Sequence, residues 1–278
     1  MTRSSRPEDL PLASGRTPRV AASRQLTRRS RRDASRQFLA EGPQAVREAL
    51  ALPATSPGAP SVVFSTPAAL ARYAGFLSES PVPVIAVDDA GMAGLSETVT
   101  PQGLVAVCSF LDVPLSSIGG SLVAVLAEIQ DPGNAGTVLR TADAAGASGV
   151  VFTDGSVDPY NGKCVRSSAG SLFHPPVVRG VPAAEAVASL QASGLQILAA
   201  DGYGDSDLDD LADAGELSRP TAWLFGNEAR GLPSELAALA DRRVRIPIHG
   251  RAESLNLAAA AAVCLYASAR AQRRLSSE

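Results

Sequence analysis

Leu122-Val123-Ala124-Val125-Leu126-Ala127-Glu128-Ile129-Gln130-Asp131-Pro132-Gly133-Asn134-Ala135-Gly136-Thr137-Val138-Leu139-Arg140-Thr141-Ala142-Asp143-Ala144-Ala145 decides how this 278-residue chain folds. Its first part, Leu122–Ile129, is apolar without alternation, the pattern of a strand buried on both faces. Asp131-Pro132-Gly133 then turns sharply, and Thr137–Ala145 reads as a helix, with Asn134 a suitable cap before it. Similar strands are expected at Gly149–Phe152, Leu195–Ala200, Thr221–Phe225 and Val244–Ile248. Helices are expected at Pro182–Gln191, Pro233–Ala240 and Ser254–Arg273. Strands alternating with helices predict a mostly parallel sheet covered on both faces.

Working toward the N-terminus, Asp112–Gly120 is rich in turn formers and reads as a linker. Before it, a strand beginning at Phe38, a helix over Gln44–Leu50, strands at Val62–Phe64, Val82–Val87 and Leu104–Cys108, and a helix over Pro67–Leu77 make a small α/β domain. The chain thus divides into a basic arm (1–36), a first domain (37–112), a linker (113–120) and a second domain (121–278). The arm lacks apolar periodicity and reads as disordered.

The net charge of −3 conceals a polarity. Ten arginines in residues 1–36, among them Arg28, Arg29, Arg31 and Arg32, face only Glu8, Asp9 and Asp33. The arm therefore carries +7, and subtraction leaves −10 for the rest. A basic arm on an acidic body points to a polyanion, with a partnerless solvated tail or a targeting peptide as the other readings. Three cysteines without a CxxC pair argue against a disulfide framework and a metal site. No signal peptide is apparent, and Leu255–Ala269 is too short to span a bilayer, so a cytoplasmic protein is expected.

Three segments carry chemistry. The first runs from Ile129 to Ala142 and holds Asn134 and Arg140. Read alone, it is an ordinary strand-to-helix connection with a cap and a surface arginine. A dinucleotide fingerprint fails, since only Gly133-x-x-Gly136 remains of G-x-G-x-x-G, and neither a P-loop nor a nucleophile elbow is present. The second, Leu224-Phe225-Gly226-Asn227-Glu228 with Gly231, is either a solvated turn or the wall of a pocket, with Gly226 giving backbone access and Glu228 orienting a neighbour. In the third, Ile246-Pro247-Ile248 ends a strand, and Ser254-Leu255-Asn256 opens an alanine-rich helix with Ser254 as its cap.

Together, from about Leu122 to Ala269, these segments closely resemble the three motifs of the SpoU (TrmH) family of RNA ribose 2'-O-methyltransferases. Phe38-Leu39-Ala40-Glu41-Gly42-Pro43-Gln44-Ala45-Val46 resembles the start of the substrate-binding domain that precedes many of these enzymes and folds like certain ribosomal RNA-binding proteins. The resemblance implies an α/β SPOUT domain whose C-terminal segment forms a deep trefoil knot, a homodimer, and S-adenosylmethionine as methyl donor. It places Asn134, Arg140, Glu228, Ser254 and Asn256 in the catalytic centre. Ala200, Leu224, Gly226, Ile246, Ile248, Ser254 and Leu255 would hold the cofactor, with Ile248 standing where most members have Met. Arg166, within a further family element at Val165–Phe173, would contact RNA together with the arm, or simply end a helix.

The separate RNA-gripping domain resembles the 23S rRNA branch, which includes thiostrepton-resistance enzymes. A tRNA substrate is the alternative, as is a non-catalytic RNA-binding or ribosome-assembly protein. Arg140 either acts as a base with a strongly altered pKa or grips the neighbouring phosphate through its planar fork; the second role fits arginine chemistry better. It serves its own subunit or the other's. The general base stays unassigned, with His249 a candidate.

Overall fold

The structure is a computed structural model and describes residues 12–275. Arg3, Arg6, Glu8 and Asp9 of the arm lie outside the described residues. The chain forms two compact units, one comprising residues up to 111 together with 160–173, the other 112–159 and 174 onward.

The first unit contains strands β1 (Gln37–Glu41), β2 (Pro60–Ser65), β3 (Val84–Ala86) and β4 (Leu104–Ser109), in the order β1-β4-β2-β3. β4 runs antiparallel to β1 and β2, and β3 parallel to β2. Phe64, Val105, Val107 and Leu39 pack on Met92 and Leu95 of a helix, Asp89–Leu95, that begins where Asp88 accepts the Gly91 N–H. The expected helix over Pro67–Leu77 is broken at Tyr73.

The arm is not disordered over its described part, contrary to its composition. Helices form at Pro18–Arg24 and Arg29–Ser35, separated by a tight turn. Two apolar residues suffice to anchor them: Val20 and Leu26 are buried in the core of this unit. Arg32 is buried too, and donates to the carbonyls of Leu26 and Thr27 at 3.1 and 3.0 Å, satisfying the end of the turn.

By its position in the chain, the segment 160–173 is expected in the second domain, but it packs in the first unit. Asn161 caps its helix, Gly162–Ser168. Tyr160 stacks on Phe110 with ring centres 4.0 Å apart and 8° between planes, and Arg166 donates to the buried carboxylate of Glu41 at 2.8 Å.

The second unit holds seven strands: β5 (Leu122–Leu126), β6 (Gly149–Thr153), β7 (Val177–Val181), β8 (Gln196–Ala200), β9 (Ser206–Asp207), β10 (Thr221–Phe225) and β11 (Arg242–Arg245). Their order is β7-β6-β5-β10-β8-β11-β9, and every pairing is parallel. Val123, Val125, Leu224, Ile197 and Ala199 face Val187 and Leu190 of the helix Ala183–Ala192 on one side. On the other, the long helix Leu257–Leu275 covers the sheet, and its Ser268 accepts from the Trp223 indole at 2.9 Å. The expected linker belongs to this unit: Ile118 is buried, and the Val113 N–H donates to Val177.

Two strand ends differ from expectation. β5 stops at Leu126, with Glu128 beyond it left-handed at φ 56°. β11 begins earlier and ends at Arg245, because Pro247 has no N–H to continue a ladder. The chain from Ile246 to Asn256 is consequently free to form a loop at the carboxyl ends of the strands.

Candidate active site

In a parallel sheet the carboxyl ends of the strands face the same way, and ligands bind there, where neighbouring connections leave in opposite directions. β5 leads on to β6 on one side, whereas β10, β8 and β11 lie on the other. The loops after these four central strands form the candidate site.

After β5, Asp131 rather than Asn134 caps the helix Pro132–Ala145: its carboxylate accepts the Asn134 N–H at 2.9 Å. Pro132 occupies the first turn, where a missing N–H costs nothing. Asn134 is therefore inside the helix, and its side chain is free for other work. Its amide donates to Glu228 at 3.3 Å, and its carbonyl accepts from the Asn256 amide at 3.2 Å. Asn256, not Ser254, caps the final helix by accepting the Ala258 and Ala259 N–H groups at 2.9 and 3.4 Å. Residues from all three motifs thus form one oriented chain of amides, and neither asparagine can flip without losing a partner.

Glu228 ends that chain. Its two carboxylate oxygens accept the Gln130 and Asp131 N–H groups at 3.2 and 3.0 Å. Partial burial acts to raise its pKa, but these bonds, its own backbone N–H and the Asn134 amide outweigh it and hold the carboxyl below its usual value. Hydrogen bonding of this kind favours the charged form. The resulting stabilisation is present above the unfolded-state pKa and disappears as pH falls through the lower folded-state pKa. Glu228→Gln removes one anionic acceptor and sets an NH₂ against backbone donors. We expect turnover to fall about 10- to 100-fold, from the roughly 1.5–3 kcal/mol of a hydrogen bond to a charged group. Melting temperatures from pH 7 down to 3 should also show a weaker acid dependence than in the wild type. An equally acid-sensitive Gln variant would remove Glu228 from this role.

The second motif closes on itself. Asn227 and Gly231 exchange backbone hydrogen bonds at 3.0 and 2.8 Å, and the side-chain Oδ1 of Asn227 accepts the Ala229 and Arg230 N–H groups. The Asn227 amide reaches back to Glu128 O at 2.9 Å and ties this loop to the first motif. Gly226 is required by this closure, since a Cβ there would lie 2.5 to 2.7 Å from backbone atoms of Gly231 and Leu232. Gly226→Ala must open the loop. Overpacking of about 1–3 kcal/mol predicts a loss of about 5- to 100-fold in cofactor affinity, measured by calorimetry with S-adenosylhomocysteine. Undiminished affinity would mean the loop plays no part in the pocket.

Beside the amide chain lies an open cleft of about 200 Å³. Ala200, Gly226, Glu228, Ile246, Ile248, Ser254 and Leu255 line it. Ile248 and Leu255 are 38% and 39% exposed, an apolar rim suited to a flat heterocycle such as adenine. Leu224 does not line it. That residue is fully buried in the core behind the sheet, and its neighbour Phe225 reaches the cleft instead. Asp201, Gly202, Asn227, Leu257 and Ala260 also line the cleft. Asn227 was visible in its Gly-Asn-Glu string, and Asp201-Gly202 follow directly on the β8 strand end.

Arg140 stands apart. Six residues beyond Asn134, it lies about 240° around the helix and not on the same face. Its side chain is exposed, and no described residue pairs with it. Of the arginines expected on RNA, Arg28, Arg29 and Arg31 are exposed, with Arg29 3.7 Å from Asp33. Arg32 and Arg166 are committed to Leu26, Thr27 and Glu41 within the fold. His249 is exposed in the loop after β11. No three His, Cys, Asp or Glu side chains among the described residues are grouped to hold a metal, and no described helix is long and apolar enough to cross a membrane.

This arrangement has known counterparts. Residues 121–266 match the family model for the SpoU rRNA Methylase family, and residues 17–106 match the MRM3-like substrate binding domain. The chain is 35% identical over 258 residues to the 23S rRNA (guanosine(2553)-2'-O)-methyltransferase RlmP of Bacillus subtilis, covering 92% of this chain and 97% of that protein. Over 144 residues it is 41% identical to the 23S rRNA (uridine(2479)-2'-O)-methyltransferase of Streptomyces viridochromogenes, covering 50% of this chain and 49% of that one. The crystal structure of an AdoMet-bound rRNA methyltransferase from Sinorhizobium meliloti is similar with a TM-score of 0.80 at 32% identity, covering 94% of this chain and 98% of that chain. The SpoU methyltransferase AviRb from Streptomyces viridochromogenes, in complex with AdoMet, gives a TM-score of 0.77 at 30% identity over 94% and 99%. With a parallel sheet, a three-motif site and a family match over more than half its length, the chain belongs to the SpoU rRNA methylase family.

Proposed function

We propose that this protein transfers a methyl group from S-adenosylmethionine to a ribose 2'-hydroxyl of 23S rRNA. The observation that carries the reading is the union of an apolar-rimmed cleft with the hydrogen-bonded chain Asn256–Asn134–Glu228. Similarity over nearly the whole chain to a 23S rRNA 2'-O-methyltransferase supports the substrate over tRNA.

The cleft residues fit the cofactor: Ala200, Ile246, Ile248 and Leu255 offer apolar contact, and the loops around Gly226 offer backbone groups. S-adenosylmethionine supplies an electrophilic methyl on a sulfonium. The ribose hydroxyl must approach in line and lose a proton. Holding it in place can supply about 7–11 kcal/mol of the barrier, more than a general base contributes. The oriented amides of Asn134 and Asn256, with Ser254 at the cleft, position the hydroxyl. Glu228 positions Asn134. Arg140 grips the phosphate beside the target ribose, and its separation from the amide chain supports service to the site of a second subunit.

The same reading includes a homodimer, a knotted C-terminal segment, and a cytoplasmic location with the ribosome. Val263 and Tyr266, exposed on the final helix, support the first. In support of the second, that helix packs against Pro132–Ala145 of the first motif. The first unit, with Arg28, Arg29 and Arg31 exposed, grips folded RNA.

Transfer of labelled methyl to total RNA from a strain lacking the gene tests the proposal. After size fractionation and digestion, label is expected in a 2'-O-methylated nucleoside from 23S rRNA. Label confined to tRNA would overturn the substrate, and cofactor binding without label in any RNA, including ribosome-assembly intermediates, would overturn the activity.

A further inference from the structure

Among the twelve aromatic residues of this chain, Tyr203 is by far the most exposed, at 93%; Tyr266 follows at 51%, and the rest are buried or half-buried. It belongs to the turn Asp201-Gly202-Tyr203-Gly204 after β8, whose first two residues line the cleft. This turn is firmly held. Asp201 donates its N–H to Val244 O and accepts the Gly204 N–H, and its carboxylate takes the Tyr203 N–H at 2.9 Å. Both Nε and Nη2 of Arg243 donate to the same carboxylate at 3.0 and 2.8 Å, while Arg245 donates to Gly204 O at 3.1 Å. Gly204 lies so close to β11 that a Cβ would come within 2.5 Å of Arg243 O. The backbone is thus clamped on both sides, and the one part left unsupported is a phenol ring at the cleft rim.

A solvated aromatic on a firmly held turn, beside the cleft that holds the methyl donor, has a physical use. The ribose 2'-hydroxyl has to come within about 3–3.5 Å of the methyl, so the target base must leave its stack close to this rim. A base taken from its neighbours recovers stacking on an aromatic face, whatever its identity. We propose that Tyr203 is the stacking platform for the base of the target nucleotide, a positioning residue for the methyl transfer. This rests on the RNA methyltransferase reading above and adds the group that holds the base. Because phosphate contacts elsewhere supply most of the RNA affinity, the loss of the ring should appear mainly in kcat.

The test compares Tyr203→Ala, Tyr203→Phe and Tyr203→Trp in the full chain, using a 23S rRNA transcript and S-adenosylhomocysteine as probes. Tyr203→Ala is expected to lower kcat/KM by about 10- to 100-fold, the range of one base–aromatic stack, with most of the loss in kcat. Phe and Trp should restore it to within about threefold, since the π-face is retained. S-adenosylhomocysteine affinity and the salt dependence of RNA binding should stay at wild-type values. Wild-type kinetics in Tyr203→Ala would overturn the proposal. So would a Phe variant as impaired as Ala, which would assign the work to the hydroxyl, or a parallel loss of S-adenosylhomocysteine affinity, which would make the ring a cover for the cofactor. If the wild-type protein methylates no RNA, the underlying reading fails on its own. RNA affinity then decides the stacking: Tyr203→Ala equal to wild type overturns it, and weaker binding rescued by Trp sustains it.

Discussion

Arg140→Ala should leave the fold and the cofactor affinity intact while lowering kcat about 100- to 1,000-fold, the cost of removing one donor aimed at transition-state charge. The fold is spared because the side chain is exposed and holds nothing among the described residues; surface changes of this kind stay within about 0.5 kcal/mol. Cofactor affinity is spared because Arg140 does not line the cleft. The chemistry is lost because nothing replaces a planar cation that pairs with two phosphate oxygens, and Arg140→Lys should recover little for the same reason. Parallel calorimetry and transfer assays read both halves. The proposed service across a dimer is decided with one more protein. A heterodimer joining an Arg140→Ala subunit to a Gly226→Val subunit contains one intact cleft and one arginine, on different chains. If Arg140 works on the partner's site, that heterodimer regains about half of the wild-type activity, as two-fold symmetry requires. If it works on its own site, none returns. A fully active Arg140→Ala enzyme would remove the residue from the reaction.

The parts of this protein that could be read from its sequence are those in which local chemistry and long-range structure agree. Each motif couples a strand to a tight loop, which the residues themselves show, whereas the meeting of Asn134, Gly226, Glu228 and Asn256 at one centre was implied by the resemblance to the SpoU motifs. Details of capping are not legible in this way, because Asp131, Asn134, Ser254 and Asn256 are all good caps and only the register of the backbone selects among them. Leu224 shows the same limit in a strand. Five consecutive residues, Thr221–Phe225, are all buried, so pattern does not say which one ends at the cleft. The arginine-rich arm misled for another reason. Its charge density outweighs two apolar residues in any compositional measure, yet Val20 and Leu26 find a preformed core, and Arg32 turns from a surface cation into a structural donor. Least legible was the excursion at 160–173. Its partners Phe38, Glu41 and Phe110 are far away in sequence, and no periodicity reports such pairings.

That excursion leads to the second large effect: residues 1–111 alone should fail to fold cooperatively, although they contain all four strands of the first sheet. Without 160–173 the fragment loses Tyr160, which is buried between Phe110 and Phe38 at ring separations of 4.0 and 4.7 Å and accepts the Leu111 N–H at 2.9 Å. Removing a buried aromatic of this size costs about 3–5 kcal/mol. The fragment also strips Arg166 from Glu41. That carboxylate is only 6% exposed and would keep just the Ser96 and Thr98 hydroxyls, and breaking a buried pair from one side costs about another 3–5 kcal/mol. Phe173, 6.1 Å from Phe38, goes as well. Domains of this size have about 5–15 kcal/mol in total, so these losses approach or exceed the whole. Urea titration followed by circular dichroism should show a broad, non-cooperative change for 1–111. A fusion of 1–111 to 160–173 through a short Gly/Ser linker should show a sigmoidal transition, because Leu111 and Tyr160 already meet in the fold. The double substitution Tyr160→Ala and Arg166→Ala in the fusion should return it to the behaviour of the fragment. A sharp transition for 1–111 alone would mean that the excursion decorates this unit without completing its core.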